Sequence, residues 1–394
     1  MTRFAQTTTA LLMLIAAGCA KKAPLPDLPP GSLPEPPADS VENVVFWIGD
    51  AGAAIWSQSP VLHRLAADID QWSRITARDS AVAVVYLGDN VYPGGLRGPP
   101  ERPEYWADST HLEAQVDVMR APATRQFSAF ALFMPGNHDW GHKYGAEGEA
   151  RLAAMEQFLA RRRARGINVE LVPKAGSPGP AVVDIGRNTR IIIIDTAWWL
   201  LSPNDAEKRQ LLARVEQAMA SAGRRGVILA AHHPYRSAGP HGGLEPFWKT
   251  LGIKWLLTRS GAALQDLNSL PYRDLLDRLK AVFERTGPPL LFAGGHDHVL
   301  QVIKATEELD PRFMLVSGAG SKLSRVGHTE GMIFRSAEPG YMRMVVKKNG
   351  GIDLFVITMP ESFLKCDRGD PALDAQCVTA GAAAFRTSYG VSLR

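Results

Sequence analysis

Five short segments of this sequence set glycine or alanine beside groups that hold metals or move protons. They are Gly49-Asp50-Ala51-Gly52, Gly88-Asp89-Asn90-Val91-Tyr92, Gly136-Asn137-His138-Asp139, Ala231-His232-His233-Pro234 and Gly295-His296-Asp297-His298. Together they offer carboxylates, an amide, a phenol and several imidazoles. Hard oxygen donors combined with imidazoles suit Fe, Mn or Zn. The donors exceed what one ion needs, and with a bridging carboxylate they suit two ions about 3.5 Å apart. His296 and His298 flank one residue in a turn, so their rings can diverge toward two neighbouring ions. Either histidine alone would read as an ordinary loop residue; the five segments in series carry the metal reading.

Each segment follows an apolar run: "NVVFWIGD", "VAVVYLGD", "SAFALFMPGNHD", "GVILAAHH" and "PLLFAGGHDH", with "RIIIIDT" and "RFMLVSGAG" of the same kind. Continuous apolar runs of this length suit strands buried on both faces. Amphipathic stretches between them predict helices over Trp56–Trp72, Tyr105–Arg120, Ala146–Arg163, Asp205–Ala222 and Asp274–Arg285. The alternation predicts an α/β fold with a largely parallel sheet. Ligands of such sheets sit at the carboxyl ends of strands, where glycine lets the backbone pass close to a bound group. Near the C-terminus, Asn349-Gly350 predicts a hairpin turn.

The 394 residues are 45% hydrophobic and 21% charged, enough for one large domain or two small ones. Forty-four basic against 40 acidic residues leave a net charge of +4, which indicates no nucleic-acid partner. The one dense basic cluster, Arg161-Arg162-Arg163-Ala164-Arg165, reads as a solvated helix end. Residues 1–18 read as a secretory signal peptide whose apolar stretch is too short for a finished membrane span. "LIAAGC" resembles a bacterial lipobox, with Ala16 where Leu is usual. It implies a lipidated Cys19 and a lipoprotein. Ala20 leans toward anchoring in the outer membrane of a Gram-negative cell, facing periplasm or cell surface. The alternative is an ordinary signal peptide cleaved near Cys19. Residues 19–40 are Pro-rich and read as an extended tether. Cys366 and Cys377 then lie in a disulfide-permissive compartment and are expected to pair, in an extension over 361–394.

Over about residues 43–358 the chain resembles the calcineurin-like metallophosphoesterases, and within them the purple acid phosphatases, especially the small tartrate-resistant type. "GDAG" with Gly52, "GDNVY" with Tyr92, "HHPYRSAGPHGG" with His232 and His241, "GHDHVLQ" and "VSGAG" carry the likeness. It implies a four-layer α-β-β-α sandwich over 41–360 with a dinuclear site at strand ends. It also implies that Asp50, Tyr92 and His298 bind Fe(III), that Asn137, His232 and His296 bind a divalent ion (Fe, Zn or Mn), and that Asp89 bridges the two. His138 and His241 would face the substrate phosphate and protonate the leaving oxygen. Asp139 would orient His138 or serve as a loop carboxylate. The implied activity is phosphomonoester hydrolysis by metal-bound hydroxide, without a covalent enzyme intermediate.

Other residues read as supporting structure. His233 is expected to pack locally, Asp195 to be structural, Trp198 and Trp199 to be core or pocket wall. His142 and Tyr144, just after "GNHDW", could line the pocket or be plain loop, and His63 and His111 read as unremarkable helix residues. The connection between His241 and His296 is long for the small enzymes. Its Trp- and Leu-rich part, about 243–272, reads either as a lid or membrane-facing patch or as a surface insertion. A phosphodiesterase or nucleotide hydrolase on the same site, and a non-catalytic metal- or partner-binding lipoprotein, remain as alternatives.

Overall fold

Side chains on successive residues of β1 (Val41–Ile48) go to two different cores. Val44, Phe46 and Ile48 face one, and Val45 and Trp47 face the other. That is the period-two pattern of a strand buried on both faces. The computed structural model describes residues 33–76, 81–121, 129–242 and 264–394. The expected signal peptide and Cys19 lie outside the described residues, as does 243–263 of the expected insertion.

The other strands are β2 (Ala81–Tyr86), β3 (Phe130–Phe133), β4 (Val169–Leu171), β5 (Ala181–Ile185), β6 (Thr189–Ile193), β7 (Gly226–Ala230), β8 (Leu291–Gly294), β9 (Leu300–Lys304), β10 (Phe313–Ser317), β11 (Met332–Ser336), β12 (Gly340–Lys347), β13 (Ile352–Thr358) and β14 (Arg386–Ser392). They form two seven-stranded sheets, β14-β13-β12-β1-β2-β3-β4 and β11-β9-β10-β8-β7-β6-β5. Two sheets are what the expected α-β-β-α sandwich requires; each is mixed, with a parallel centre. β1 through β4 run parallel, as do β6, β7, β8 and β10, while hairpins supply antiparallel partners.

The helices are α1 (Pro60–Ile75), α2 (Pro103–Asp117), α3 (Ala146–Arg163), α4 (Thr196–Leu201), α5 (Asp205–Ala220), α6 (Leu270–Thr286) and α7 (Pro371–Ala383). Leu62, Leu65 and Ile69 of α1 and Met155 and Phe158 of α3 cover the first sheet. Leu211 and Val215 of α5 and Leu275, Leu279 and Phe283 of α6 cover the second. Inner faces meet through Val85, Leu132, Ile191, Ile228 and Leu315. The layers are therefore α-β-β-α.

Helix starts differ from the periodicity reading where a cap decides. α1 begins at Pro60, because Ser59 caps it by accepting from the Leu62 N–H and proline suits the first turn. Proline likewise opens α2, and it is the second residue of α6, ahead of the predicted start at Asp274. Asn349-Gly350 turns the β12–β13 hairpin, with Gly350 at φ 85°.

The C-terminal segment is built into the fold: β14 extends the first sheet beside β13, and α7 packs on α1. Cys366 and Cys377 are disulfide-bonded. The Pro-rich stretch is also not free throughout, since Leu33 packs against the first core and Glu35 pairs with Arg343. The basic helix end is partly engaged: Arg162 pairs with Glu113 at 2.6 Å and lies over the Phe158 ring.

Candidate metal centre

The carboxyl ends of β1, β2 and β3 meet those of β7 and β8 at one edge of the sandwich. Backbone bonds lock the meeting: Gly49 N–H donates to Ser317 O at 2.6 Å, Asp50 N–H to Gly88 O at 3.0 Å, and Gly295 N–H to His232 O at 2.9 Å. Two glycines are obligatory by contact. A Cβ on Gly52 would stand 2.5 Å from the Asn90 carbonyl carbon, and one on Gly136 would stand 2.3 Å from the Asp89 amide nitrogen. Asp50, Asp89 and His296 adopt φ of 58°, 55° and 66°. Non-glycine residues held there cost about 1–3 kcal/mol each, and such strain gathers at functional sites.

The side chains form two groups that share Asp89. In the first, Tyr92 Oη lies 2.9 Å from Asp50 Oδ1, 3.0 Å from Asp89 Oδ2 and 3.1 Å from His298 Nε2. In the second, His232 Nε2 lies 2.9 Å from Asn137 Oδ1, 3.2 Å from His296 Nδ1 and 3.4 Å from Asp89 Oδ1. Asp89 thus turns one oxygen to each group.

Backbone carbonyls decide the tautomers of the second group. His232 Nδ1 is 2.8 Å from Leu87 O, and His296 Nε2 is 2.9 Å from Gln265 O. A carbonyl only accepts, so both ring nitrogens must carry the proton and donate. That leaves His232 Nε2 and His296 Nδ1 bare, facing each other and the oxygens of Asn137 and Asp89. With both rings neutral, four lone-pair donors converge with no hydrogen between them, a set that could hold a cation, with each histidine oriented by a carbonyl as metal-binding histidines ordinarily are. Burial opposes charge on His232, but Asp89 and Asp50 draw its pKa above the ordinary value, so without a cation a proton competes for Nε2.

The electrostatic shifts differ from residue to residue. Burial, and then the charges of Asp50 and Asp89, push the Tyr92 hydroxyl well above its ordinary pKa. Burial pushes His296 well below its ordinary value, with neighbouring His233, His241 and His232 adding to it, so the ring is neutral. Burial opposes charge on Asp89, but His232, His138 and the His138 backbone N–H hold its carboxyl below the ordinary value. The set Asp50, Asp89 and His232 offers donor atoms all within 4.8 Å of one another, as does His232, His233 and His296. His233 is nevertheless already engaged: Nδ1 lies 2.8 Å from Thr196 Oγ1 and Nε2 2.9 Å from Gln265 Oε1. It packs locally, as expected.

His138 and His241 stand at the open side, with side chains 25% and 38% exposed. His138 Nδ1 is 2.6 Å from Pro93 O, so it donates there and leaves Nε2 free, 3.8 Å from Asp89 Oδ2. His241 donates Nδ1–H to Asp266 Oδ1 at 3.1 Å, which likewise frees Nε2. Both rings therefore present an unengaged nitrogen that can carry a proton.

Asp139 does not orient His138. It accepts from the N–H groups of Gly136, Asn90 and Val91 and from the Asn90 side chain, at 2.9–3.2 Å. It ties the β3 loop to the β2 loop that carries Asp89. Burial, and then Asp89, raise its pKa to about 7.

His142 is no plain loop residue, because Nδ1 lies 3.3 Å from Asn137 Nδ2 and Nε2 lies 3.2 Å from His138 Nδ1. Tyr144 is exposed and reaches Ser202. Asp195 caps α4 and accepts from Trp140 Nε1 at 2.8 Å, and Trp198 and Trp199 are core. His63 contacts the Trp56 carbonyl and His111 the Ala54 carbonyl, both apart from the site.

Three site neighbours were not singled out in the sequence. Gln265 and Asp266 carry no motif and come from the return leg of the long connection. Lys322 follows "VSGAG", where the sequence gives no period or spacing to mark it.

No protein family and no curated protein matches the sequence. Among solved structures, the fold is similar to that of GAP50, described as the anchor in the inner membrane complex of Plasmodium. The TM-score is 0.51 at 16% identity, over 81% of this chain and 85% of that one. It is also similar to purple acid phosphatase PPD1 from yellow lupin (Lupinus luteus) seeds, with a TM-score of 0.50 at 16% identity, over 84% of this chain. The match spans 53% of the lupin enzyme. The chain has the calcineurin-like α/β sandwich fold of these neighbours.

Proposed function

We propose that this chain is a dinuclear metal-dependent phosphoric ester hydrolase acting on phosphate monoesters. The observation that supports it most is the pair of bare nitrogens on His232 and His296, facing Asn137 and one oxygen of Asp89, whose other oxygen meets a second donor group. Asp50, Tyr92 and His298 hold one ion, Fe(III), and Asn137, His232 and His296 hold a divalent ion, with Asp89 between. A phenolate is a hard anionic donor that favours Fe(III). When bound, the two ions supply positive charge that polarises phosphoryl oxygens and acidifies water.

The chain's own residues do the rest. Burial of Asp50, Asp89 and His232 excludes bulk water and strengthens electrostatic attraction inside the site. His138 Nε2 and His241 Nε2 hold protons at the open side. Water's oxygen bonds to phosphorus, the ester P–O bond breaks, the leaving oxygen takes a proton from one of these rings, and one proton of the attacking water restores the ring while the other stays on the phosphate. Asp266 accepts the His241 Nδ1–H and holds the ring in place.

The N-terminal sequence supports a further part of the reading: export, lipidation at Cys19 and anchoring to a bacterial outer membrane. A non-catalytic binding role is the second reading, because a protein of this fold is described as an anchor. The test uses the fragment after Cys19 with its metals. Hydrolysis of p-nitrophenyl phosphate is compared with that of bis-p-nitrophenyl phosphate, with Asp89→Ala as the blank. Monoester preference lost in the variant supports the proposal. Diester preference moves the activity to a phosphodiesterase, and no turnover by metal-loaded protein favours the binding role.

A further inference from the structure

Lys322 lies in the loop after β10, with Nζ 3.2 Å from the centre of the Tyr92 ring. The side chain is half-buried, close enough to Asp89 and Asp50 for both carboxylates to act on its charge. Yet among the described residues no hydrogen bond or ion pair holds its ammonium. The ammonium rests on the face of the Tyr92 ring. Its N–H groups turned away from the ring are left to water or to whatever enters in front of Tyr92.

Placement is not left to a loose loop. Ser321, just before Lys322, donates its hydroxyl to the Asp50 carbonyl and accepts from the Ala53 N–H at 3.1 Å. Ser324, just after, donates its N–H to the His298 carbonyl at 2.9 Å. The lysine is therefore strung between two residues of the first donor group.

We propose that Lys322 is a specificity-determining residue that binds a terminal oxygen of a phosphate monoester; this rests on the hydrolase reading of the same site. A monoester near neutral pH carries nearly two charges and three unesterified oxygens. A diester carries one charge and two such oxygens. With two ions and the histidines taking the others, a further fixed cation gains most from the oxygen that a diester has esterified. Lys322 thus favours monoesters by charge and by oxygen count.

The test compares metal-loaded wild type, Lys322→Met and Lys322→Arg, after metal content is shown to be equal. Inorganic phosphate affinity is measured by calorimetry, and kcat/KM is measured for p-nitrophenyl phosphate and its bis ester. Lys322→Met should weaken phosphate binding by about 10- to 100-fold, the range for a hydrogen bond to a charged group. It should lower monoester kcat/KM by a similar factor and diester kcat/KM far less, with Lys322→Arg recovering part of the loss. Unchanged phosphate affinity, or an equal loss on both esters, overturns the assignment. If wild type cleaves neither ester, the hydrolase reading fails, and phosphate affinity alone still decides whether Lys322 holds the anion.

Discussion

The Gln265 carbonyl accepts the Nε2–H of His296 at 2.9 Å, so a residue of the long connection fixes which nitrogen His296 turns toward His232. The same return leg supplies Asp266 to His241, and the Leu267 N–H donates to the His241 carbonyl at 3.0 Å. This connection is therefore wired into the site. Deleting 264–268 should weaken metal binding, by about 10- to 100-fold for the ion near His296, as loss of an orienting partner does elsewhere. Competition with a chromogenic chelator measures this. Unchanged affinity in a folded deletion variant would sink the orienting role.

Asp89 shares its two oxygens between the donor groups. Asp89→Ala should lower metal content for both ions and abolish hydrolysis, whereas Asn137→Ala should spare the ion near Tyr92. Metal analysis of the two purified variants distinguishes a shared carboxylate from two independent sites.

His138→Ala and His241→Ala should each lower kcat by about 10²- to 10⁴-fold, the range for a lost general acid, with metal content intact. Loss of metal instead would reassign that histidine as a ligand. If a Tyr92 phenolate binds Fe(III), the metal-loaded protein should show a visible charge-transfer band that disappears in Tyr92→Phe while metal stays bound; a persisting band would show that Tyr92 is not its source.

Asp195 is fully buried, and burial raises its carboxyl from 3.8 to about 7. The folded chain then holds that proton more tightly than the unfolded chain does. The contribution to stability accordingly falls as pH rises through the window between these values and is flat above it. Asp195→Asn should flatten that part of a denaturation-versus-pH curve. An unaltered slope would show that the carboxyl ionises as readily inside as outside.

The Cys366–Cys377 bond closes a short loop, with a sequence separation of 11, and holds α7 near α1. Replacing both with Ser should cost about 2–3 kcal/mol by loop entropy, seen as a lower Tm, with kcat little changed. A large loss of kcat at low temperature would instead tie the C-terminal segment to the site.

The donor residues were legible because each follows an apolar run and a turn-forming residue, so type and place could be read together. The same logic gave the strands, and α3 matched to the residue because Gly145 precedes it and the basic turn ends it. What sequence hid depends on distance in space. Nothing near Asp139 tells that it serves Asn90 and Val91 instead of the neighbouring His138. His142 looked ordinary because its partners, Asn137 and His138, become neighbours only when the loop takes φ 57° at His142. Gln265 and Lys322 have no motif at all. The helix starts were missed by periodicity because proline and a capping serine, not the first apolar residue, begin the helix.

Each donor group draws from both sheets. Asp50, Tyr92, Asp89 and Asn137 follow strands of the first, while His232, His296 and His298 border strands of the second. A cation in either group is therefore a clasp across the seam of the sandwich. Its binding energy adds to the cohesion of the whole fold. Backbone bonds already close this seam and hold the positive-φ conformations of Asp50, Asp89 and His296. Chelation should therefore lower the melting temperature of the whole sandwich without opening this edge first.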